Sequence, residues 1–181
     1  MSCPSPTSWY ALYVRSRHEK SVCAQLEAKQ HNVFLPLYTV RNKWADRWKA
    51  VSLPLFPGYV FCRFDIASRG KILATSGLID VVRAGPEPCA IADSEIEKIQ
   101  LVINSSLSVE PYPALVKGQH VKMTEGPLIG LVGTLATIRN RSRLVVNVDL
   151  LGRAVLVEID RDWVVPCDEA QSRFPKAVRR F

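Results

Sequence analysis

From Trp9 to Arg15 the chain reads WYALYVR, aromatic or aliphatic almost throughout, which predicts a buried first strand. A helix is predicted next, over about residues 18–30. Ser16 followed by Glu19 has the spacing of a capping box, in which hydroxyl and carboxylate each satisfy a free backbone N–H, and Val22, Cys23 and Leu26 form an apolar stripe behind it. Two β-rich runs follow, Asn32–Trp44 and Ala50–Phe64, separated by a polar stretch at 45–49. They read as an antiparallel pair. Pro36, Pro54 and Pro57 cannot donate to a ladder, so they mark edges, bulges or strand ends. A short helix is predicted over 65–76, with Asp65 or Ser68 as its cap and Gly77 past its end, then a strand at Ile79–Arg83 and a turn at 85–88. Ser94 and Glu97 offer a second capping box, and Ile96, Ile99 and Ile103 lie on one face of a helix over 93–104.

The order βαββαβα, with an antiparallel pair in its middle, predicts an α+β layer of ferredoxin-like type. Between 105 and 113 the periodicity gives way to Ser and Pro, the marks of a linker. Beyond it five short β runs alternate with turns and no helical run intervenes, which predicts a small barrel. The expected organisation is a flexible 1–8, a first domain at 9–106, a linker at 107–115, a second domain at 116–167 and a mobile tail at 168–181.

A length of 181 residues allows two small domains, and 48% hydrophobic residues exclude a wholly disordered chain. No apolar run approaches the roughly 20 residues of a membrane helix, and the first eight residues lack the features of a signal peptide, so a cytoplasmic protein without membrane attachment is expected. Five cysteines, odd in number and without a C-x-x-C pair, encode neither a disulfide framework nor a zinc site; no metal and no cofactor is expected. The net charge of +7 is uneven. Residues 1–50 carry 8 Lys/Arg against 3 Asp/Glu and the last thirteen carry 4 against 1, while the middle is nearly balanced. Such placement favours a polyanion or an acidic partner near the ends.

In the second half, Gly118, Val121, Met123, Glu125-Gly126-Pro127-Leu128, Gly130, Gly133 and Leu135 form a pattern that resembles the KOW motif, and 142–149 and 152–158 continue it. In the first half, Trp9-Tyr10, the basic helix start, the tract Leu53–Phe61 (LPLFPGYVF) and Ile79–Arg83 resemble the NGN domain of NusG-like transcription factors, in the same order. Together these patterns cover about residues 9–166. The details resemble specialised paralogues of the RfaH or UpxY kind. The resemblance implies an NGN domain of ferredoxin-like α+β fold and an SH3-like KOW β-barrel in a monomeric, non-enzymatic factor for antitermination or processivity.

For partners, the resemblance implies an apolar groove gripping the clamp helices of the largest subunit of RNA polymerase. Tyr10, Phe56, Tyr59 and Phe61 would line it, Pro57 and Gly58 would shape it, and Trp9 and Tyr13 would join them; by composition, core burial serves any one of these aromatics as well. Arg15, Arg17, His18 and Lys20 sit at a helix start, where cations oppose the dipole and so serve something other than helix stability. A solvated basic face is one use; the resemblance implies non-template DNA in the transcription bubble. Arg47, with Arg41, Lys43 and Lys49, interleaves with Trp44 and Trp48, which either stack on bases or fold down as a lid. Ser68 and Arg69 fall where such proteins touch a second polymerase element, and a helix start explains Ser68 equally. Leu128, Leu131, Gly152 and Arg153 would dock a ribosomal protein or Rho. Two rivals remain. One is a generic RNA-binding or ribosome-associated protein. The other is an enzyme using His18 and Cys23, whose spacing of five sets them about 140° apart on a helix.

Overall fold

The computed structural model describes residues 7–44, 47–112, 118–138, 141–148 and 151–167. The flexible start expected at 1–6, the tail expected at 168–181 and the end of the expected linker therefore lie outside the described residues. Compactness divides the chain into two units that meet between Ser94 and Glu95, ahead of the boundary expected at 106. A Ser/Pro-rich stretch records lost periodicity, whereas packing decides where a compact unit ends.

In the first unit the chain runs β1 (Ser8–Val14), α1 (Glu19–Ala28), β2 (Asn32–Phe34), β3 (Leu37–Trp44), β4 (Arg47–Pro54) and β5 (Tyr59–Phe64). After a 3-10 turn at Ile66–Ser68 come α2 (Arg69–Leu73), β6 (Leu78–Val81), β7 (Arg83–Ala84), β8 (Glu87–Pro88) and β9 (Ala90–Ile91). The main sheet has the order β2-β5-β1-β6, with β9 also paired to β1, and every described pairing is antiparallel. The single run expected at Ala50–Phe64 is split. Its first part pairs with β3 in a separate two-stranded ribbon and its second part lies at the heart of the main sheet.

Alternation along β1 sorts its side chains. Tyr10, Leu12 and Val14 join Val60, Cys62 and Phe64 of β5 in one core, closed by Val22 and Leu26 of α1, Ile72 of α2 and Val81 of β6. Each fully buried aliphatic or aromatic side chain there contributes about 1.5–3 kcal/mol of transfer free energy. The helix expected over 65–76 is instead a 3-10 turn, capped by Asp65 accepting the Ala67 N–H at 2.9 Å, followed by the short α2. Helix α3 (Asp93–Asn104) matches the expected 93–104, although Ser94 lies inside its first turn rather than before it.

The second unit takes in α3 from Glu95 onward and an antiparallel sheet of six described strands: β10 (Val109–Tyr112), β11 (Gln119–Met123), β12 (Val132–Ile138), β13 (Arg141–Val148), β14 (Arg153–Glu158) and β15 (Val164–Pro166). Their order is β10-β14-β13-β12-β11-β15. Strand β10 lies within the stretch expected as a linker at 107–115. Its proline, Pro111, is tolerated because β10 lies at the end of the pairing order. Arg143, at 4% exposure, places its guanidinium 3.7 Å from Glu110 on β10 and 3.4 Å from Glu158 on β14, tying three strands together through one buried cation. At the turn after β11, Gly126 has φ +78°, and a Cβ there would lie 2.8 Å from the Trp163 ring, so only glycine fits. No helix among the described residues is long and apolar enough to cross a membrane.

Candidate functional site

Phe56-Pro57-Gly58-Tyr59 forms a turn closed by the Tyr59 N–H donating to the Phe56 carbonyl at 3.0 Å. Pro57 holds the first corner and Gly58, at φ +86°, the second, which is the arrangement of a type II turn. The turn is anchored twice. The Val14 N–H donates to the Gly58 carbonyl at 2.9 Å, and the Gly58 N–H donates to Glu19 Oε1 at 2.8 Å. Glu19 is buried, and no side chain caps the helix at His18. The expected Ser16/Glu19 capping box is therefore replaced by a bond from Glu19 to a turn far along the chain.

Strand pairing decides which aromatics share a face. Ala11 lies opposite Phe61 and Tyr13 opposite Tyr59, so Tyr13, Tyr59 and Phe61 project from the side away from the α1-covered core. The rings of Tyr13 and Tyr59 are 5.7 Å apart; Phe61 meets Phe56 edge-on at 5.8 Å and Phe34 at 6.1 Å. Tyr10 is on the opposite face, in the core against α1, so the structure does not bring it together with the other groove candidates. Phe56 and Phe61 are 1% and 0% exposed, which makes them support beneath the surface rather than contact residues as they stand. Tyr13 is the displayed aromatic, at 46% exposure, and Tyr59 is half-buried beside it. Parity along β1 was the signal that selects Tyr13 over Tyr10.

The cationic turn lies next to this pair. Arg15, Arg17, His18 and Lys20 are all exposed. Backbone bonds fix the turn: Arg15 N–H donates to the Gly77 carbonyl at 2.8 Å and His18 N–H to the Arg15 carbonyl at 3.0 Å. Arg17 has φ +65°, a left-handed conformation uncommon for a residue with a side chain. Lys20 donates to the Ser52 carbonyl at 2.8 Å, linking the turn to the β3–β4 ribbon. On that ribbon Arg41 lies opposite Ala50 and Lys43 opposite Trp48, and Arg41, Trp48 and Ala50 border a hollow of about 390 Å³. Trp48 is 69% exposed and so is no lid, whereas the side chains of Trp44 and Arg47 lie outside the described residues.

The remaining candidates are more internal. Ser68 Oγ donates to the Asp65 carbonyl at 2.7 Å, and Ser68 and Arg69 are half-buried. In the second unit Leu128 and Leu131 are buried, so they fill the sheet rather than face a partner, and Gly152 and Arg153 are half-buried. The apolar residue displayed on that loop is Ile129, at 66% exposure, which the sequence reading missed because its pattern marks apolar positions without telling inside from outside. Burial and the Glu27 carboxylate push the Cys23 thiol up to about 11, and burial pushes Cys62 up to about 12. A thiol so rarely ionised is a poor nucleophile. Alkylation of Cys23 at pH 8 is expected to run about a hundredfold slower than that of a thiol with its ordinary value near 9, in proportion to the thiolate fraction, as followed by mass spectrometry. Among the described residues, no group of three or more His, Cys, Asp or Glu is placed to hold a metal ion.

Residues 7–100, more than half of the chain, match the family model described as "Transcription termination factor nusG". The chain belongs to the NusG family. It is 27% identical over 179 residues to the transcription termination/antitermination protein NusG of Thermus thermophilus, covering 87% of this chain and 97% of that protein. The NusG of Helicobacter pylori is 25% identical over 164 residues, covering 83% and 93%. Among solved structures, one titled "Domain interaction in Thermotoga maritima NusG" aligns with a TM-score of 0.54 and 23% identity over 87% of this chain and 96% of that one, a likeness of fold. The protein is thus a NusG-type transcription termination/antitermination factor of mixed α/β fold, in a family of transcription factors rather than enzymes, to which RNA polymerase binding is common.

Proposed function

We propose that the first unit is an NGN domain that holds elongating RNA polymerase through the face displaying Tyr13 and Tyr59, while the cationic turn Arg15–Lys20 takes the non-template strand. The observation that carries this reading is the juxtaposition itself: a displayed Tyr13 paired with half-buried Tyr59 beside a set of exposed cations on a backbone-bonded turn, on the fold of a transcription factor family. A helix laid across the tyrosine pair gains apolar contact from two rings that already meet at 5.7 Å beside a hydrogen-bonded turn. A turn whose backbone is already fixed costs less to order on a phosphate chain than a free one. Binding that favours the transcribing conformation disfavours paused states, giving the antitermination or processivity role of an RfaH- or UpxY-like paralogue. The second unit is read as the KOW barrel, with Ile129, Gly152 and Arg153 towards a ribosomal protein or Rho.

Retention on a stalled elongation complex tests the reading, with free core polymerase and free RNA as comparisons. Binding to the complex and weak binding to free RNA support it; tight RNA binding with no retention on polymerase favours a generic RNA-binding protein instead. The cationic turn has its own test. Changing both Arg15 and Arg17 to Glu is expected to lower the slope of log affinity against log salt by about 1.4, at roughly 0.7 for each lost contact to single-stranded phosphate. An unchanged slope rules out a DNA role for this turn.

A further inference from the structure

We propose that Glu19 is a positioning residue that joins the cationic turn to the aromatic turn, so that nucleic-acid contact at Arg15–Lys20 and polymerase contact at Tyr13–Tyr59 are energetically coupled. The inference rests on the functional reading above and adds the element that makes its two contacts one site.

A buried carboxylate is costly unless it is hydrogen-bonded. Glu19 is 5% exposed and is the first residue of α1, where its charge is favourable to the helix dipole. Yet its Oε1 accepts from the Gly58 N–H at 2.8 Å, 39 residues away in sequence. The carbonyl of the same glycine accepts from Val14, the last residue of β1. Gly58 is therefore held by the strand that carries Tyr13 and by the helix that begins where the cationic turn ends.

The tyrosine pair responds to the same glycine. A Cβ built on Gly58 would lie 3.5 Å from Tyr13 Cε2, so the Tyr13 ring rests against this corner of the turn. On the other side, His18 closes the turn begun by Arg15 and is followed at once by Glu19. Displacing the cations moves the first residue of α1, and the carboxylate passes that movement to Gly58 and to the ring upon it. Among the described contacts, Glu19 is the side chain that bonds one turn to the other. A core residue would stabilise both turns without linking their responses.

The test is a double-mutant cycle on the full chain, measured as affinity for a stalled elongation complex with an exposed non-template strand. Arg17→Glu and Tyr13→Ala are combined in three backgrounds: Glu19, Glu19→Ala and Glu19→Gln. With Glu19, the double variant is expected to depart from the product of the single effects by about fivefold, within the range seen for coupled sites. With Glu19→Ala the departure should fall within about twofold, the usual scatter for independent sites. Glu19→Gln keeps a carbonyl oxygen for the Gly58 N–H and should keep the coupling. Should Glu19→Ala melt below the assay temperature, Glu19→Asp, one methylene short of Gly58, carries the same expectation. Coupling that survives the loss of the tether, that is lost with Gln, or that is absent with Glu19 overturns the proposal. A wild-type chain that does not bind the complex overturns the functional reading itself, a different result.

Discussion

Tyr13→Glu is expected to weaken retention on an elongation complex by about thirtyfold or more, the size of an interface hot spot, while lowering folding stability by no more than about 1 kcal/mol. The two effects separate because of where the ring sits. Its ring meets Tyr59 at 5.7 Å and rests against Gly58, and nearly half of its surface is open, so the isolated protein loses little. A partner helix that covers the ring must desolvate whatever replaces it, and a carboxylate buried against apolar surface without a partner is the costly case. Tyr13→Phe keeps the ring and should retain most of the affinity. Retention by Tyr13→Glu within about twofold of wild type, with a normal melt, would remove this face from the interface.

The faces explain what a reading of residues alone reaches and where it stops. Periodicity assigned β1, α1 and the bounds of α3, and Pro57 marked a break in the ladder, because these signals are local. Selecting Tyr10 with Phe56, Tyr59 and Phe61 followed the family resemblance, which names aromatic positions without giving the face each one occupies. Parity and register divide them, since Tyr13 faces Tyr59 across the ladder while Tyr10 turns into the core. Glu19 read as a capping residue because its spacing from Ser16 is right, but its acceptor was claimed by an N–H that no local pattern connects to it. Strand β10 was hidden by Pro111, which ends most ladders and is harmless on this one because the proline needs to donate to no further strand. Leu128 and Leu131 were named through the family resemblance, and the loop folds them inward and leaves Ile129 out.

Phe61→Ala is expected to cost about 3–5 kcal/mol of folding stability, read from urea or guanidinium unfolding of the full chain. Phe61 is fully buried, its strand pairs with β1 on one side and β2 on the other, and its ring is the meeting point of Phe56 and Phe34. Truncation leaves a cavity that two aromatic neighbours on rigid strands are poorly placed to fill, so the transfer loss and the cavity loss add. Phe56→Glu would be harsher, because it sets an unpaired charge in the same place. The consequence for the interface is direct: loss of polymerase binding by a variant at Phe56 or Phe61 follows from unfolding and says nothing about contact, whereas Tyr13, displayed and weakly tied, reports on contact alone. If Phe61→Ala unfolds within about 1 kcal/mol of wild type, its ring is not the support assigned to it, and the tyrosine pair would have to hold its geometry through the Gly58 turn alone.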